Sequence, residues 1–138
     1  MTDKVFNRLE VEIKKAYYVS ERYKFTSSFA LIHHEEELTI KGLSMFLRGS
    51  DKILEIDENT FFIIFTFTSE EKTFKASENL LLELDKHFNR RDSYIAMEAL
   101  DASNSPRMVI NKLLQILSET RKHSYSRIED ESILNSTF

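Results

Sequence analysis

The feature that most constrains the fold of this sequence is a hairpin pattern between residues 52 and 68. A short strand-like run from Lys52 to Ile56 is followed by four turn-forming residues, Asp57 to Thr60, and then by Phe61 to Thr68. Aromatic and β-branched residues dominate the second run, and they occupy both of its alternating faces. We therefore predict a hairpin whose second strand is covered on both sides and lies in the middle of a sheet.

The segments on either side of the hairpin alternate between helical and strand periodicity. In chain order they predict a helix over 4–24, a strand over 29–32, a short helix over 38–47, the hairpin, a helix over 69–88, a strand over 94–100 and a helix over 107–122. Ser69 is the expected cap of its helix, whose buried stripe we predict as Phe74, Leu81, Leu84 and Phe88. The central six elements give β-α-β-β-α-β, so the predicted class is α+β with a ferredoxin-like antiparallel sheet and extra helices at both ends.

Length and composition limit the functions that are open to the chain. With 138 residues, we expect a single domain over residues 1–123 and a polar, frayed tail over 124–138. The absence of cysteine excludes thiolate chemistry, and the N-terminus has no apolar run, so we expect a cytoplasmic protein without a membrane anchor. A net charge of −4 argues against nucleic acid as a partner, and two glycines make a phosphate-binding glycine loop improbable.

Residues immediately before the hairpin turn have a more specific spacing than the fold itself. Arg48 and Asp51 form an R-x-x-D motif, and five residues separate Asp51 from the turn segment Asp57-Glu58-Asn59-Thr60-Phe61. This arrangement resembles GGDEF domains, the diguanylate cyclases, in which R-x-x-D lies five residues before the GGDEF signature. The first helix and strand, and the last strand and helix, also look like those of the family, so the resemblance covers about residues 5–122. It implies a bacterial signalling domain connected with cyclic di-GMP.

The turn departs from the family signature in four of its five positions, and only Phe61 is retained. Glycines at the first two positions would let the backbone approach a nucleotide, whereas Asp57 and Glu58 project negatively charged side chains towards a triphosphate. Thr60 supplies no carboxylate to a two-metal clamp, although Glu35 or Glu37 could replace the family's first metal-binding aspartate. We therefore expect no diguanylate cyclase activity, no catalytic residues and no cofactor.

The segment between the first strand and the R-x-x-D motif is also short. About 15 residues separate Ile32 from Arg48, far fewer than the family usually spends on the two helices that shape its nucleotide pocket. This difference indicates a shortened and degenerate GGDEF-like domain.

Two interpretations of Arg48 and Asp51 remain open from the sequence. The resemblance implies a cyclic di-GMP site, because R-x-x-D forms the inhibitory product site of the family, and a guanidinium can bind a guanine edge or a phosphate through paired hydrogen bonds. Alternatively, Asp51 caps the turn into the next strand and Arg48 forms a solvated ion pair, which requires no ligand.

The run His33-His34-Glu35-Glu36-Glu37 is the one His and carboxylate cluster of the sequence. Because neighbouring strand residues point to opposite faces, His33 could converge with Glu35 and Glu37, or His34 with Glu36, on a metal such as zinc or manganese. The alternative is a polar strand end that enters solvent, and we predict no metal site.

Three functional hypotheses follow. The first is a non-catalytic signalling or interaction module that acts through a protein partner or self-association, with Tyr17, Tyr18 and Tyr23 as an interface on the first helix. The second is a cyclic di-GMP receptor at Arg48 and Asp51, and the third is a residual nucleotide-processing enzyme.

Overall fold

A computed structural model describes residues 1–135 of the chain. The helices are α1 (Asp3–Tyr23), α2 (Ile40–Ser44), α3 (Glu70–Phe88) and α4 (Pro106–His123). The strands are β1 (Ser28–His34), β2 (Lys52–Asp57), β3 (Thr60–Phe65), β4 (Ser93–Ala99) and β5 (Ile128–Glu129), and a 3-10 helix follows at Glu131–Leu134.

The strands form one sheet in the order β2-β3-β1-β4-β5. The first four are antiparallel neighbours and β5 runs parallel to β4, so the predicted α+β, ferredoxin-like arrangement is confirmed. The prediction that the second hairpin strand is the middle one is wrong, because β1 holds that place. Every residue of β3 is nevertheless buried. An apolar pattern on both faces indicates that a strand is covered on both sides. Any interior strand can show this pattern, so it does not identify the middle strand of the sheet.

Helices cover both faces of the sheet. On one face, α1 and α4 pack on a cluster that includes Leu9, Phe29 and Phe62. On the other, α2 and α3 pack on a cluster that includes Ile32, Phe61 and Leu84. Two-sided coverage explains the continuous apolar run in β3. Within residues 1–135, no helix is both long and apolar enough to cross a membrane.

Helix α3 begins where its cap was predicted, but its buried face is rotated. Ser69 accepts a hydrogen bond from the Lys72 amide. Leu81 and Leu84 are buried and Phe88 packs at the edge of the core, whereas Phe74 is 38% exposed and its prediction as a core residue is wrong. The buried face also contains Thr73, Ser77 and Leu80. One helical position turns a side chain by about 100°, which carries Phe74 away from the face that Thr73 occupies.

The prediction of a frayed tail after residue 123 is wrong for residues 124–135. Ile128 and Ile133 are buried in the two core clusters, and the Arg127 carbonyl accepts a hydrogen bond from the Ile95 amide at 2.8 Å. Arg127 also forms an ion pair with Asp85 at 2.6 Å. Isolated apolar residues in a polar stretch have no periodicity, so the sequence pattern missed this segment. The end of the predicted tail, residues 136–138, lies outside the described residues.

Candidate functional site

The turn of the β2–β3 hairpin is tighter than the sequence predicted. Asp57 and Thr60 pair with each other as strand residues, which leaves Glu58 and Asn59 as a two-residue loop. An irregularity in the strand pairing lies between Glu55 and Asp57. The Asp57 carboxylate accepts a hydrogen bond from the Asn59 amide at 2.9 Å, so this side chain bends back to stabilise its own loop.

Asn59 fastens the loop to the end of β1. Its Nδ2 donates to the carbonyl oxygens of His34 at 2.8 Å and Glu35 at 3.1 Å. In return, the His34 amide donates to the Asn59 carbonyl at 2.9 Å. The side chains of Asp57 and Asn59 are therefore engaged within the protein.

A chain of polar contacts continues from the turn to α4. Thr60 Oγ1 lies 3.1 Å from His33 Nδ1, and His33 Nε2 lies 3.4 Å from a Glu35 oxygen. The same Glu35 oxygen accepts a hydrogen bond from Arg121 Nη2 at 3.1 Å. Burial lowers the pKa of His33, and the positive charge of Arg121 lowers it further. At neutral pH the imidazole is therefore uncharged, which suits a hydrogen-bonding role between Thr60 and Glu35.

A cavity of about 630 Å³ lies beside this chain of contacts, between the strand ends and α4. Its walls include Asp57, Tyr94 and Lys122 as well as the Glu35–Arg121 pair. Charges of both signs line it, and the Glu35–Arg121 pair neutralises itself. The cavity thus lacks the concentrated positive charge that typically binds a triphosphate.

The two histidines of the His and carboxylate cluster point to opposite faces, as strand alternation predicts. His33 and Glu35 do meet, but Glu37 is exposed and no contact joins it to them. His34 is buried on the other face, where its Nδ1 lies 2.6 Å from Ser93 Oγ and its ring packs against Phe88. Among residues 1–135, no three His, Asp or Glu side chains are arranged to hold a metal ion.

Arg48 and Asp51 lie side by side and close a short turn before β2. Asp51 accepts hydrogen bonds from the backbone amide of Arg48 at 3.1 Å and from its Nη2 at 2.9 Å. The Asp51 side chain is 2% exposed and that of Arg48 is 57% exposed. The hydrogen bond to Asp51 raises the pKa of Arg48. The carboxylate is thus a buried acceptor for its own turn.

The same guanidinium connects the turn to the end of β3. Arg48 Nη2 also donates to the Thr66 carbonyl at 3.0 Å and to Thr68 Oγ1 at 2.6 Å. The two motif residues predicted from the sequence are therefore together, and both participate in the fold. Sequence reasoning missed Thr66, Thr68 and Arg121 because nothing in their local pattern marks them as partners of these motifs.

The predicted tyrosine interface on α1 is only partly exposed. Tyr18 and Tyr23 are exposed, but Tyr17 packs against the core and donates a hydrogen bond to the Asn104 carbonyl at 2.9 Å. Tyr17 is therefore part of the fold. Phe25 and Phe67 form another exposed aromatic pair, with a distance of 5.1 Å between their ring centroids.

The comparisons with known proteins identify the fold. No protein-family model and no curated protein matches this sequence. The GGDEF domain of DgcB from Caulobacter crescentus, solved with c-di-GMP, is similar with a TM-score of 0.66 and 12% identity over 88% of this chain and 85% of that one. The active GGEEF domain of a diguanylate cyclase from Vibrio cholerae has a TM-score of 0.68 and 12% identity over 91% and 95%.

A third similar structure contains a second protein. Diguanylate cyclase SiaD from Pseudomonas aeruginosa, solved with its activator SiaC, has a TM-score of 0.73 and 8% identity, covering 90% of this chain and 57% of that one. The chain is thus an α+β domain with helices on both faces of its sheet, and that arrangement is the fold of GGDEF domains. Because the identities are so low, the likeness establishes the fold alone.

Proposed function

We propose that this chain is a non-catalytic signalling module with a GGDEF-like fold and no diguanylate cyclase activity. One observation carries the proposal, namely that the side chains of the hairpin turn bond to their own loop and to the end of β1. Asn59 donates to the carbonyl oxygens of His34 and Glu35, and the carboxylate of Asp57 accepts from the loop. A turn that satisfies its own polar groups gains little by receiving a nucleotide.

The chemistry of the turn supports the same conclusion. Phosphoryl transfer by two metal ions depends on carboxylates that hold the ions against both reacting oxygens. Here Thr60 faces a neutral His33, and the Glu35 carboxylate that contacts this histidine is paired with Arg121. Neither side chain of the Thr60–His33 pair is an anionic ligand for magnesium, which prefers oxygen ligands with near-ideal octahedral geometry.

Incubation with GTP and Mg²⁺ tests the proposal and separates it from a residual nucleotide-processing enzyme. The active GGEEF domain from Vibrio cholerae is the positive control, and chromatography measures cyclic di-GMP and any other product. We expect no product from this chain under conditions in which the control converts its substrate. Any GTP-dependent product, lost when the hairpin turn is mutated, contradicts the proposal.

A non-catalytic module must act through something that it binds, and a protein or a second copy of the chain is the partner we favour. SiaD was solved with its protein activator SiaC, which supports a protein partner for a fold of this kind. The exposed Phe25–Phe67 pair offers aromatic contact area of the type enriched at interfaces.

Binding to a second copy of the chain can be tested without knowing the identity of another protein partner. Sedimentation velocity over a concentration series compares the native chain with a Phe25→Ser/Phe67→Ser double variant. A monomer–dimer equilibrium that the double variant weakens supports this surface, whereas monomers at every concentration exclude self-association.

Arg48 supports a second candidate function, that of a cyclic di-GMP receptor. Its guanidinium is 57% exposed and is held in one orientation by Asp51, Thr66 and Thr68. The contacts described within residues 1–135 use Nε and Nη2, so Nη1 is still free to donate. The DgcB domain was solved with c-di-GMP, which makes this ligand the one to test.

Calorimetric titration with cyclic di-GMP decides between a receptor and a structural ion pair. The native chain is compared with Arg48→Ala and with Arg91→Ala, which removes an exposed arginine after α3. Micromolar binding that Arg48→Ala abolishes and Arg91→Ala preserves supports the receptor. Absence of heat at micromolar concentrations assigns the pair to the fold alone.

A further inference from the structure

A second cavity, of about 210 Å³, lies at the opposite end of the sheet from the hairpin turn and is unusually acidic. Carboxylates from three separate parts of the chain line it. They are Glu70, Glu98, Asp101, Asp130 and Glu131. The basic residue in its lining is Lys112, whose ammonium group contacts Glu131 at 2.9 Å. Negative charge therefore strongly exceeds positive charge in this small space.

Glu98 distinguishes this cavity from an ordinary acidic surface. It projects from β4, is 9% exposed, and its Oε2 is buried without a hydrogen-bond partner among the described residues. A buried carboxylate oxygen normally accepts at least one hydrogen bond, because leaving it unpaired costs free energy. Glu98 lines the cavity, and its unpaired oxygen has the chemistry to accept a hydrogen bond from a donor bound there.

Burial and nearby negative charges raise the pKa values of several groups at or near the cavity. Burial raises the pKa of Glu98 to about 7, and the nearby charges of Glu131 and Asp101 add to the effect against the opposing influence of Lys112. Tyr17, on α1, also has its pKa raised to about 12 by burial and by the charges of Glu98 and Asp101. At the rim, burial and a hydrogen bond to Asp130 raise the pKa of Glu70.

We propose that this acidic cavity is a binding site for a small organic cation with a primary ammonium group, with the Glu98 carboxylate as its innermost acceptor. An ammonium group donates three hydrogen bonds and fits carboxylates that are too widely spaced for direct metal coordination. Within residues 1–135, no three acidic side chains converge as metal ligands do. Lys112 already demonstrates the chemistry, because its own ammonium lies against Glu131 at the cavity.

The size of the cavity is consistent with a short alkylammonium. Its volume of about 210 Å³ is several times the roughly 30 Å³ that one water molecule occupies in the liquid. A short carbon chain with an ammonium end and a few accompanying water molecules can therefore occupy it.

Calorimetric titration with 1,4-diaminobutane tests the site, with MgCl₂ and CaCl₂ at matched ionic strength as separate arms. The assay is run at about pH 8, where the Glu98 carboxylate is ionised. The variant is Glu98→Gln, and the control is Glu71→Gln, which removes the same charge from an exposed position beside Glu70. We expect one binding site for the diamine, weakened at least about tenfold by Glu98→Gln and less than about twofold by Glu71→Gln.

A second variant keeps the proposal testable if Glu98→Gln fails to fold. Lys112→Met removes the resident ammonium and leaves the carboxylates, so it should strengthen diamine binding by at least about threefold. Absence of diamine binding at millimolar concentration, binding that Glu98→Gln does not affect, or binding of the metal ions alone each overturns the assignment. Unchanged or weaker binding to Lys112→Met also contradicts it.

Discussion

The hairpin turn and the acidic cavity lie at opposite ends of one sheet. They differ in whether their polar side chains have hydrogen-bond partners within the protein. At the turn, Asn59 and Thr60 bond to residues at the end of β1. At the cavity, Glu98 is buried but has an unpaired oxygen and acidic neighbours. The first arrangement stabilises the fold without a ligand, and the second is destabilised unless a proton or a cation enters.

The two ends show that one fold can satisfy its polar side chains at one place and leave a buried carboxylate unpaired at another. The hairpin turn, which corresponds in position to the GGDEF signature, is held by hydrogen bonds to its own loop and to the end of β1, and we propose that it carries no nucleotide chemistry. Unsatisfied charge lies instead at a place for which the resemblance to the family implies nothing. Substitutions at the two ends of the sheet test whether the polar side chains of the turn are paired and those of the cavity are not.

The largest effect is expected at Glu98. Its pKa rises from 4.5 in the unfolded chain to about 7 in the fold, so the native state favours the protonated form. The resulting stabilisation is present below about pH 4.5 and is lost as the pH rises through about 7, a difference of about 3 kcal/mol. Glu98→Gln should remove this loss and make the protein more stable than the native chain at about pH 8.

Urea unfolding at about pH 5 and about pH 8 measures this difference. Glu71→Gln is the matched control and should retain the pH dependence of the native chain. If Glu98→Gln also retains it, Glu98 is not the group responsible, and the contrast between the two ends of the sheet loses its main support.

An intermediate effect is expected at the hairpin turn. Asn59→Ala removes the hydrogen bonds to the carbonyl oxygens of His34 and Glu35, which should lower the free energy of unfolding by about 2 kcal/mol. Glu58→Ala, in the same loop but exposed, should change it by less than about 0.5 kcal/mol. Equal effects of the two substitutions in urea unfolding would show that the turn is not fastened through Asn59.

The smallest effect is expected at Arg48. This residue tests whether pairing, rather than position in the sheet, distinguishes the turn from the cavity. Arg48 lies near the same end of the sheet as the acidic cavity, but its partners satisfy it as they do at the turn. Arg48→Ala should lower the free energy of unfolding by about 1 kcal/mol, because the Arg48 side chain is 57% exposed and solvent screens its charge. Arg91→Ala should be neutral in the same thermal or urea experiment. Stabilisation by Arg48→Ala would contradict the assignment of Arg48 to the fold.

Much of the fold was accessible from sequence because its elements are strongly periodic. The run from Phe61 predicted a strand buried on both faces, and Ser69 predicted the start of α3. The tail around Ile128 and Ile133 was missed, since two isolated apolar residues cannot be distinguished from a polar coil until Ile128 pairs with β4 and Ile133 joins the core.

The sequence predicted contacts within a candidate site only where the residues are close together in the chain. Arg48 and Asp51 are three residues apart, so their pairing follows from local spacing. The contact between Glu35 and Arg121 joins residues far apart in sequence, and so does the acidic cavity, which gathers side chains from β4, α3 and the C-terminal segment. Such convergence is a product of tertiary packing and leaves no local pattern.

The most direct test of the central claim is whether a nucleotide contacts the hairpin turn. Two-dimensional amide NMR spectra of the native chain are recorded while GTP and Mg²⁺ are added, and the resonances of Glu58, Asn59 and Thr60 are followed with that of Arg91 as a reference. A turn closed by its own contacts predicts no saturable shift at these three residues beyond that of Arg91. Saturable shifts confined to the turn and the end of β1 would contradict it and indicate that the nucleotide site is retained.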